Sequence, residues 1–387
     1  MNSNTGKSAR LAIYAASFFY TVHNAFTLYI TSSFLARFID TEFVGVLYGI
    51  GSLLGILVLS KSSALLGRFG QFRTTLAFLA LNIGAVAGLA FIDTAWLVLT
   101  LFLALSVATL FLRLDLDVYL EKFSVDKKTG ALRGVFLTLL NVAVFISPYL
   151  VGKILTDSQY ERVFFVSALL IIPTIAIVAT RLRGVADIPY RQVPFGYSLK
   201  RVWDDPNLAN IFGATFLLEF FYSWMVIYTP IYLSQYIGFS WSQIGAIFSI
   251  MLMPFVILQY PLGRIADRWL GEKEILTAGF CVMGLATISL AFIGTSAFGI
   301  WAAALFATRV GASAVEVMNE SYFFKHVGAE DTDIISVFRD SRPLAFIAGP
   351  LVGSLVISFL PYNILFLILG GLMLLGITFS VSLIDTK

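Results

Sequence analysis

Twelve long apolar stretches constrain this chain more than any other feature of its sequence. A helix needs about 20 predominantly apolar residues to cross the hydrocarbon core of a bilayer. The stretches are too long and too evenly apolar for barrel strands, which would alternate in polarity over about 10 residues. We therefore predict an all-α polytopic membrane protein with twelve transmembrane helices. The predicted spans are residues 11–36, 42–66, 73–92, 95–121, 131–153, 160–181, 208–236, 241–263, 274–293, 297–323, 333–358 and 361–384.

Composition supports a membrane protein and gives no sign of an enzyme. Of the 387 residues, 58% are hydrophobic and 13% charged, whereas an average soluble domain has about 25% charged residues. Cys281 is the single cysteine, and His23 and His326 are the two histidines, too few for a disulfide framework or a usual zinc site. No glycine-rich phosphate-binding loop occurs, which argues against an ATP-driven pump. We expect no cofactor, no metal and no nucleic-acid partner.

The distribution of positive charge predicts the orientation of the chain. If the N-terminus is cytoplasmic, 21 of the 26 lysines and arginines lie on the cytoplasmic side, and Arg37, Lys153 and Arg162 lie outside. Arg113 and Arg309 fall within spans. Because cytoplasmic loops carry the excess of lysine and arginine, this asymmetry predicts an even number of spans with both termini cytoplasmic.

Internal similarity indicates that the chain consists of two related halves. The segments YLEK (119–122) and YFFK (322–325) both close an even-numbered span, at an offset of 203 residues. Arg68 and Arg268 follow the second span of each half at an offset of 200. We therefore expect an N-terminal six-helix bundle at 1–181, a cytoplasmic linker at 182–207 that reads as a tether, and a C-terminal six-helix bundle at 208–387.

The segment GRIADRWLG resembles the loop signature of the major facilitator superfamily, and the resemblance extends over the whole chain. Gly263, Asp267 and Arg268 match a glycine, three residues, then aspartate and arginine. The next glycine, Gly271, comes one place late, and Gly67 stands where the first half should have its aspartate. The resemblance implies two pseudo-symmetric six-helix bundles that rock about a site at mid-membrane, with the first, fourth, seventh and tenth helices lining the cavity.

The fourth span ends in FLRLDLDVYLEKF, which carries charges where a membrane helix should be apolar. Residues four apart share a helix face, so Arg113 and Asp117 point one way and Asp115 points roughly the opposite way. Charges that face lipid are costly, so we interpret Arg113 and Asp117 as facing the cavity. Glu121, at the end of the span, is interpreted as solvated.

A polar stripe follows the tenth span. Arg309, Ser313, Glu316 and Glu320 are spaced by four, three and four residues, which places them on one face, and Asn319 adjoins Glu320. We predict that these residues contribute to proton coupling or to the substrate cavity. The alternative is a static ion-pair network that holds the inward gate shut and binds nothing.

Two further candidates lie in the first and seventh spans. His23 and Asn24 occupy the middle of the first span, and histidine can switch its charge near neutral pH. The alternative is a histidine satisfied within the core. Glu219 has the aromatic neighbours Phe220 and Tyr222. A carboxylate among apolar rings is costly to keep charged, which makes Glu219 the candidate proton carrier. Its alternative is a carboxyl group hydrogen-bonded to a neighbouring helix.

Helix-breaking residues suggest where the bundles bend. Pro148 lies in the fifth span, and Gly349 and Pro350 lie in the eleventh, where lost backbone hydrogen bonds permit bending. Exporters of the superfamily often carry a glycine-rich run before such a proline. That run is absent before Pro148, which leaves the direction of transport open.

The loop signature predicts an asymmetric gate. By the resemblance, Gly263, Asp267, Arg268 and Arg68 form the gating motif. We expect Asp267 to meet the positive N-terminal end of the fifth helix near residues 130–133. Because Gly67 cannot do the same for the other half, the inward gate should be latched mainly by Asp267.

These observations predict a secondary active transporter of the plasma membrane that is driven by protons. We expect a monomer that moves a small organic or amphipathic solute by alternating access, with efflux favoured. The first alternative is a proton-coupled importer of an anionic nutrient, which Arg113 and Arg309 could grip. Sodium coupling also stays open, as does a sensor of the same fold that transports nothing.

Overall fold

A computed structural model describes residues 3–122, 129–156, 159–183, 195–327 and 332–384. Within these ranges the chain forms α-helices and two π-helical turns and contains no strand. The helices are α1 Ser3–Leu28, α2 Thr31–Leu35, α3 Thr41–Leu59, α4 Ser62–Phe69, α5 Gln71–Phe91, α6 Ala95–Lys122, α7 Thr129–Ile154, α8 Tyr160–Leu170, α9 Ile172–Arg181, α10 Phe195–Asp204, α11 Pro206–Ile231, α12 Trp241–Ile257, α13 Gln259–Ile265, α14 Glu272–Leu290, α15 Phe298–His326, α16 Thr332–Phe359 and α17 Ile364–Val381. The π turns are Tyr232–Tyr236 and Ala266–Leu270.

The chain divides into two compact units. Unit 1 comprises Met1–Asp40 and Ile50–Gln192, and unit 2 comprises Thr41–Gly49 and Val193–Lys387. Helix α3 therefore contributes its first half to unit 2 and its second half to unit 1. This sharing is a tertiary feature that the internal sequence similarity does not show.

Ten helical segments in the described part of the chain are long and apolar enough to cross a membrane. Two more long helices, α1 and α7, have 26 residues each and occupy the first and fifth predicted spans. The all-α polytopic architecture predicted from the sequence is confirmed.

Several predicted spans are interrupted, and proline accounts for one of the breaks. The sixth span divides at Ile171 into α8 and α9, with Pro173 near the start of α9. Proline has no N–H to donate and clashes with the preceding turn, so a helix tends to end before it. The eighth span divides at Leu258, and the second continues beyond Ser60 as a separate short helix.

The predicted linker contains a helix. Residues 184–194 lie outside the described part of the chain, but Phe195–Asp204 forms α10. Asp205 then caps α11, since its Oδ1 accepts hydrogen bonds from the backbone N–H groups of Asn207 and Leu208 at 2.8 and 3.3 Å. The second part of the linker, from Phe195 to Asp205, therefore forms a helix and a cap that connect directly to α11.

A π turn explains why the glycine of the loop signature comes one place late. In unit 1, the Gly70 N–H bonds to Leu66 O, four residues back. In unit 2, the Gly271 N–H bonds to Ala266 O, five residues back, so the π turn contains one additional residue. Both glycines have positive φ, 78° and 88°, and each precedes the next long helix. Gly271 therefore has the same structural role as Gly70.

We expect Gly271→Ala to lower the stability of the folded protein by about 1–2 kcal/mol. A positive φ is strained for any residue with a Cβ, and Gly271 lies at φ 88°. Thermal unfolding of the purified protein measures the effect. Gly263→Ala is the control, because a Cβ there would meet its nearest neighbour, Val317 Cγ1, at an ordinary 4.0 Å. Equal stability of the two variants would contradict the expectation.

Side chains of α11 hold the predicted hinge in α16. Trp224 Nε1 donates to the carbonyl oxygen of Gly349 at 2.5 Å, and the Tyr228 hydroxyl donates to the carbonyl oxygen of Pro350 at 2.6 Å. A Cβ at Gly353 would clash with the Tyr228 ring. Helix α16 is continuous through Pro343 and Pro350, and these contacts brace the segment near Pro350 where backbone hydrogen bonds are missing.

Candidate functional site

A polar cluster in unit 2 centres on Glu316 of α15. Its Oε2 accepts a hydrogen bond of 2.6 Å from the Tyr222 hydroxyl of α11, and its Oε1 accepts one of 3.2 Å from Gln259 Nε2 of α13. The Tyr222 ring packs edge-on against Phe255, with centroids 6.2 Å apart. Both carboxylate oxygens are thus held by donors from two other helices, which fixes the group in one orientation.

Glu219, one turn before Tyr222 on α11, is held more loosely. Its Oε2 lies 3.7 Å from Arg342 Nε of α16, within ion-pair range but beyond a hydrogen bond. The same oxygen is buried and has no hydrogen-bond partner in the described part of the chain. Glu219 is 16% exposed, and Arg342 is 41% exposed. A donor or a proton could therefore be added at Oε2 without displacing an existing hydrogen bond.

The charges of the cluster act on one another. Glu316 interacts electrostatically with Glu219, Glu320 and Arg342. The cluster therefore brings two sequence candidates, Glu219 and Glu316, close enough for the charge on one to affect the other.

Arg309 lies on α15, two helical turns before Glu316. It is buried, with 1% of its surface exposed, and its guanidinium lies over the Phe221 ring at 4.8 Å from the centroid. Its Nη1 donates to Thr308 Oγ1 at 3.3 Å. Stacking on an aromatic face offsets part of the cost of burying this cation.

The other members of the predicted stripe differ in exposure. Glu320 is exposed, whereas Asn319 is buried, and both the amide nitrogen and the amide oxygen of Asn319 lack a hydrogen-bond partner within the described residues. A buried amide without partners is costly, so this position has unused capacity for a polar ligand or a water.

In unit 1, His23 has the contacts of a histidine satisfied inside a helix bundle. Its Nε2 lies 2.8 Å from Asn82 Oδ1, and its Nδ1 lies 2.8 Å from both the carbonyl and the hydroxyl oxygens of Ser167. The neighbouring Asn24 donates to the Tyr20 carbonyl at 3.1 Å. A transport role for His23 and Asn24 stays a prediction.

The charged end of the fourth span divides between two faces of α6. Arg113 and Asp117 are exposed, whereas Asp115 is buried. Asp115 accepts hydrogen bonds from Thr75 Oγ1 at 2.5 Å and from Gln71 Nε2 at 3.0 Å, both on α5. The Asp115 carboxyl group therefore finds its hydrogen-bond donors within unit 1, while Arg113 and Asp117 share the opposite face.

At the gating motif, Lys325 joins three segments of unit 2. Its Nζ pairs with Glu272 Oε1 and lies 3.3 Å from Asp267 Oδ1. Glu272 is fully buried and also accepts a hydrogen bond of 2.9 Å from Ser321 Oγ. These contacts tie the π turn and the start of α14 to the end of α15.

The remaining gate predictions are not decided by these contacts. In unit 1, Arg68 lies over the Phe69 ring at 5.3 Å. Residues 123–128 and the side chains of 129–139 lie outside the described part of the chain, and so does the side chain of Glu121. The contact of Asp267 with the start of α7 stays a prediction.

Sequence reasoning missed four partners in these sites. Tyr222 enters the sequence prediction only as an aromatic neighbour of Glu219, and Arg342, Gln259 and Glu272 are not among the predicted site residues. Gln259 had a usable signal, since it is a lone amide within the apolar run VILQYPLG. Glu272 follows the signature glycine directly, and nothing in its local sequence indicates burial.

Membrane-spanning helices that hold a partly buried polar cluster are those expected of a polytopic membrane protein. The chain belongs to the Major Facilitator Superfamily, whose family model matches residues 117–341 and 211–386. It is therefore a multi-pass membrane transporter, and the twelve-helix fold predicted from the sequence is confirmed. No curated protein matches the chain by sequence.

Three solved structures share its fold over nearly the full length. A mutant of the nucleoside transporter NupG has a TM-score of 0.74 and 15% identity, covering 97% of this chain and 99% of its own. A bacterial homologue of the iron transporter ferroportin, inward-facing, has a TM-score of 0.73 and 14% identity, covering 96% and 98%. A bacterial homologue of the human lysosomal transporter Spinster, inward-facing and unoccupied, has a TM-score of 0.70 and 11% identity, covering 98% and 96%.

Proposed function

We propose that this protein is a proton-coupled secondary active transporter in which Glu316 and Glu219 of unit 2 carry the coupling. The observation that carries the proposal is the arrangement of Glu316 with Tyr222 and Gln259, beside the looser pair of Glu219 and Arg342. A carboxyl group within a membrane helix is costly and is a functional candidate by default.

The two carboxylates suit different steps. Glu219 pairs with Arg342 when ionised, and a proton on Glu219 would remove the charge that attracts Arg342 to it. Glu316 accepts from Tyr222 and Gln259, and a proton there would turn one acceptor oxygen into a donor. Proton binding would thus change contacts between α11, α13, α15 and α16. Coupling follows if proton and solute favour different arrangements of these helices.

The chemistry around the cluster favours an organic solute with apolar surface. The Phe221 ring lies under the Arg309 guanidinium, and the Phe255 ring packs against Tyr222. We favour efflux of an amphipathic compound. Arg309 is buried nearby and would suit an anion, which keeps import of an anionic nutrient as the second candidate. Two of the three structural neighbours are named for different cargoes, a nucleoside and iron, so their names do not select a solute.

We also propose a location and an orientation. The excess of lysine and arginine on one side supports a plasma membrane protein with both termini cytoplasmic. We propose a monomer, with the bundles at residues 1–181 and 208–387 moving about the linker at 182–207. Asp267, Gly263 and Arg268, with Arg68 of the first half, would form the inward gate.

Transport in liposomes tests the coupling. We expect addition of the right solute to wild-type protein to move protons, read by a pH-sensitive dye inside the vesicles. Glu316→Gln should lower this solute-dependent proton flux at least tenfold, because it removes the titrating group and keeps the side-chain shape. Glu219→Gln should do the same. Pools of amphipathic cations, neutral amphiphiles and small organic anions cover the candidate solutes. Reversing the proton gradient then tests both directions of transport.

A matched variant separates coupling from general damage. Glu274 is an exposed carboxylate in the first turn of α14, and Glu274→Gln should transport like wild type. Thermal unfolding checks that all three variants fold. Solute transport that is unchanged in Glu219→Gln and Glu316→Gln would contradict the proposal. Transport that requires sodium but not a proton gradient would show that sodium, and not the proton, is the coupling ion.

A further inference from the structure

A second site lies at the opposite end of unit 2 from Asp267 and Lys325. A cavity of about 360 Å³ opens there between the end of α11, the start of α3 and the connection from α16 to α17. Tyr232, Tyr236 and Tyr362 line it together with Glu42 and Asn363. Tyr232 packs against Trp301, which lies 15 residues before Glu316 on α15, or about 22 Å along the helix at 1.5 Å per residue. The cavity is therefore distinct from the Glu316 cluster.

The three tyrosine rings form one aromatic cluster. Tyr232 stacks on Tyr236 and on Tyr362, with centroids 5.5 Å apart in both pairs and planes inclined by 18° and 21°. The third pair, Tyr236 and Tyr362, has centroids 4.7 Å apart. Tyr232 and Tyr362 are buried, but Tyr236 is 54% exposed, so the cluster remains open on its outer side.

The backbone departs from regular α-helical geometry at Tyr232 and Tyr236. Tyr232–Tyr236 is a π turn, in which the Ile237 N–H bonds to the Tyr232 carbonyl five residues back. A π turn is less favourable than a regular α turn and occurs often at functional sites. The π turn lies at the cavity, and the rings of Tyr232 and Tyr236, four residues apart, stack on each other there.

A single acidic residue, Glu42, gives the cavity a negative charge. Glu42, in the first turn of α3, is exposed and is the charged residue among those that line the cavity. The side-chain amide of Asn363 already donates to the Ala291 carbonyl at 3.1 Å. Leu360 and Ile357 complete the wall with aliphatic surface. A ligand for this cavity should therefore combine a positive charge with apolar groups.

We propose that this tyrosine cavity binds an organic cation with an alkylammonium group. Aromatic faces attract cations, and cages of aromatic rings recognise quaternary ammonium groups. Glu42 would neutralise the charge while the rings contact the alkyl groups. An inorganic cation would keep its hydration shell and gain little from the rings, and an anion would be repelled by Glu42. The proposal is independent of proton coupling at Glu316.

Choline and its uncharged isostere, in which a tert-butyl group replaces the trimethylammonium group, test the proposal. Ligand-detected NMR on the purified full-length protein would follow the methyl signal of either probe. We expect choline to bind with a Kd of about 1 mM and the isostere at least about tenfold more weakly. Equal binding of both probes, or no choline binding at the highest usable concentration, would overturn the proposal.

Substitutions at the cavity test whether choline binds there. Glu42→Gln should weaken choline about tenfold, and Tyr236→Leu about fivefold. Tyr260→Leu is the matched control, since Tyr260 is 76% exposed and lies on α13, away from the cavity. Thermal unfolding verifies that each variant is folded. If choline bound to both cavity variants as it does to wild type, the cation would bind elsewhere and the proposal would be wrong.

Discussion

Replacing Gly311 with alanine is expected to destabilise the protein by about 3 kcal/mol. Helices α14 and α15 touch through their backbones at this point. A Cβ on Gly311 would clash with the backbone nitrogen of Met283 and lie 2.6 Å from the Gly279 carbonyl oxygen. Backbone atoms of a helix cannot rotate away as a side chain can. The two helices would have to separate, and the packing of their buried side chains would be lost.

A second alanine substitution provides the control. Gly371 lies on α17, and a Cβ there would meet no atom within 4 Å. Gly371→Ala should be neutral or slightly stabilising, because alanine favours a helix by roughly 0.5–1 kcal/mol over glycine. Thermal unfolding in detergent compares the two variants. If Gly311→Ala unfolded at the same temperature as Gly371→Ala, the close backbone packing of α14 and α15 would be contradicted.

Lys325→Met is expected to destabilise unit 2 by about 2 kcal/mol. Lys325 is paired with Glu272, which is fully buried, and the variant would remove the Lys325 ammonium group from that carboxylate. Breaking a buried ion pair costs about 3–5 kcal/mol. We expect less here because the Lys325 side chain is 44% exposed and Ser321 still donates to Glu272. The change should appear as a lower unfolding temperature.

A double variant tests whether the loss comes from the buried charge. Lys325→Met combined with Glu272→Gln should be more stable than Lys325→Met alone, because glutamine carries no charge to bury. Lys325→Arg should stay close to wild type. Lys61→Met, at an exposed lysine of unit 1, controls for the loss of a positive charge. Additive effects of the two substitutions would show that Lys325 and Glu272 act independently.

Much of the fold could be predicted because membrane insertion depends on local composition. Each predicted span has a long helix or a pair of helices in the structure, and Gly70 and Gly271 both have positive φ. The stripe from Arg309 to Glu320 indicated where polar groups collect. Helical spacing also indicated the opposite directions of Asp115 and Asp117, which are buried and exposed respectively.

The sequence by itself determined the spans and the candidate carboxylates, because hydrophobicity and helical period are local properties of the chain. The tertiary structure decided which groups meet. Tyr222 and Gln259 bind Glu316 across 94 and 57 residues of sequence, and Tyr232 meets Tyr362 at the cavity. Such contacts depend on how each helix is rotated and how closely it packs, including the π turns that add one residue to a helical turn. Those quantities result from the packing of whole helices, and no short stretch of sequence specifies them.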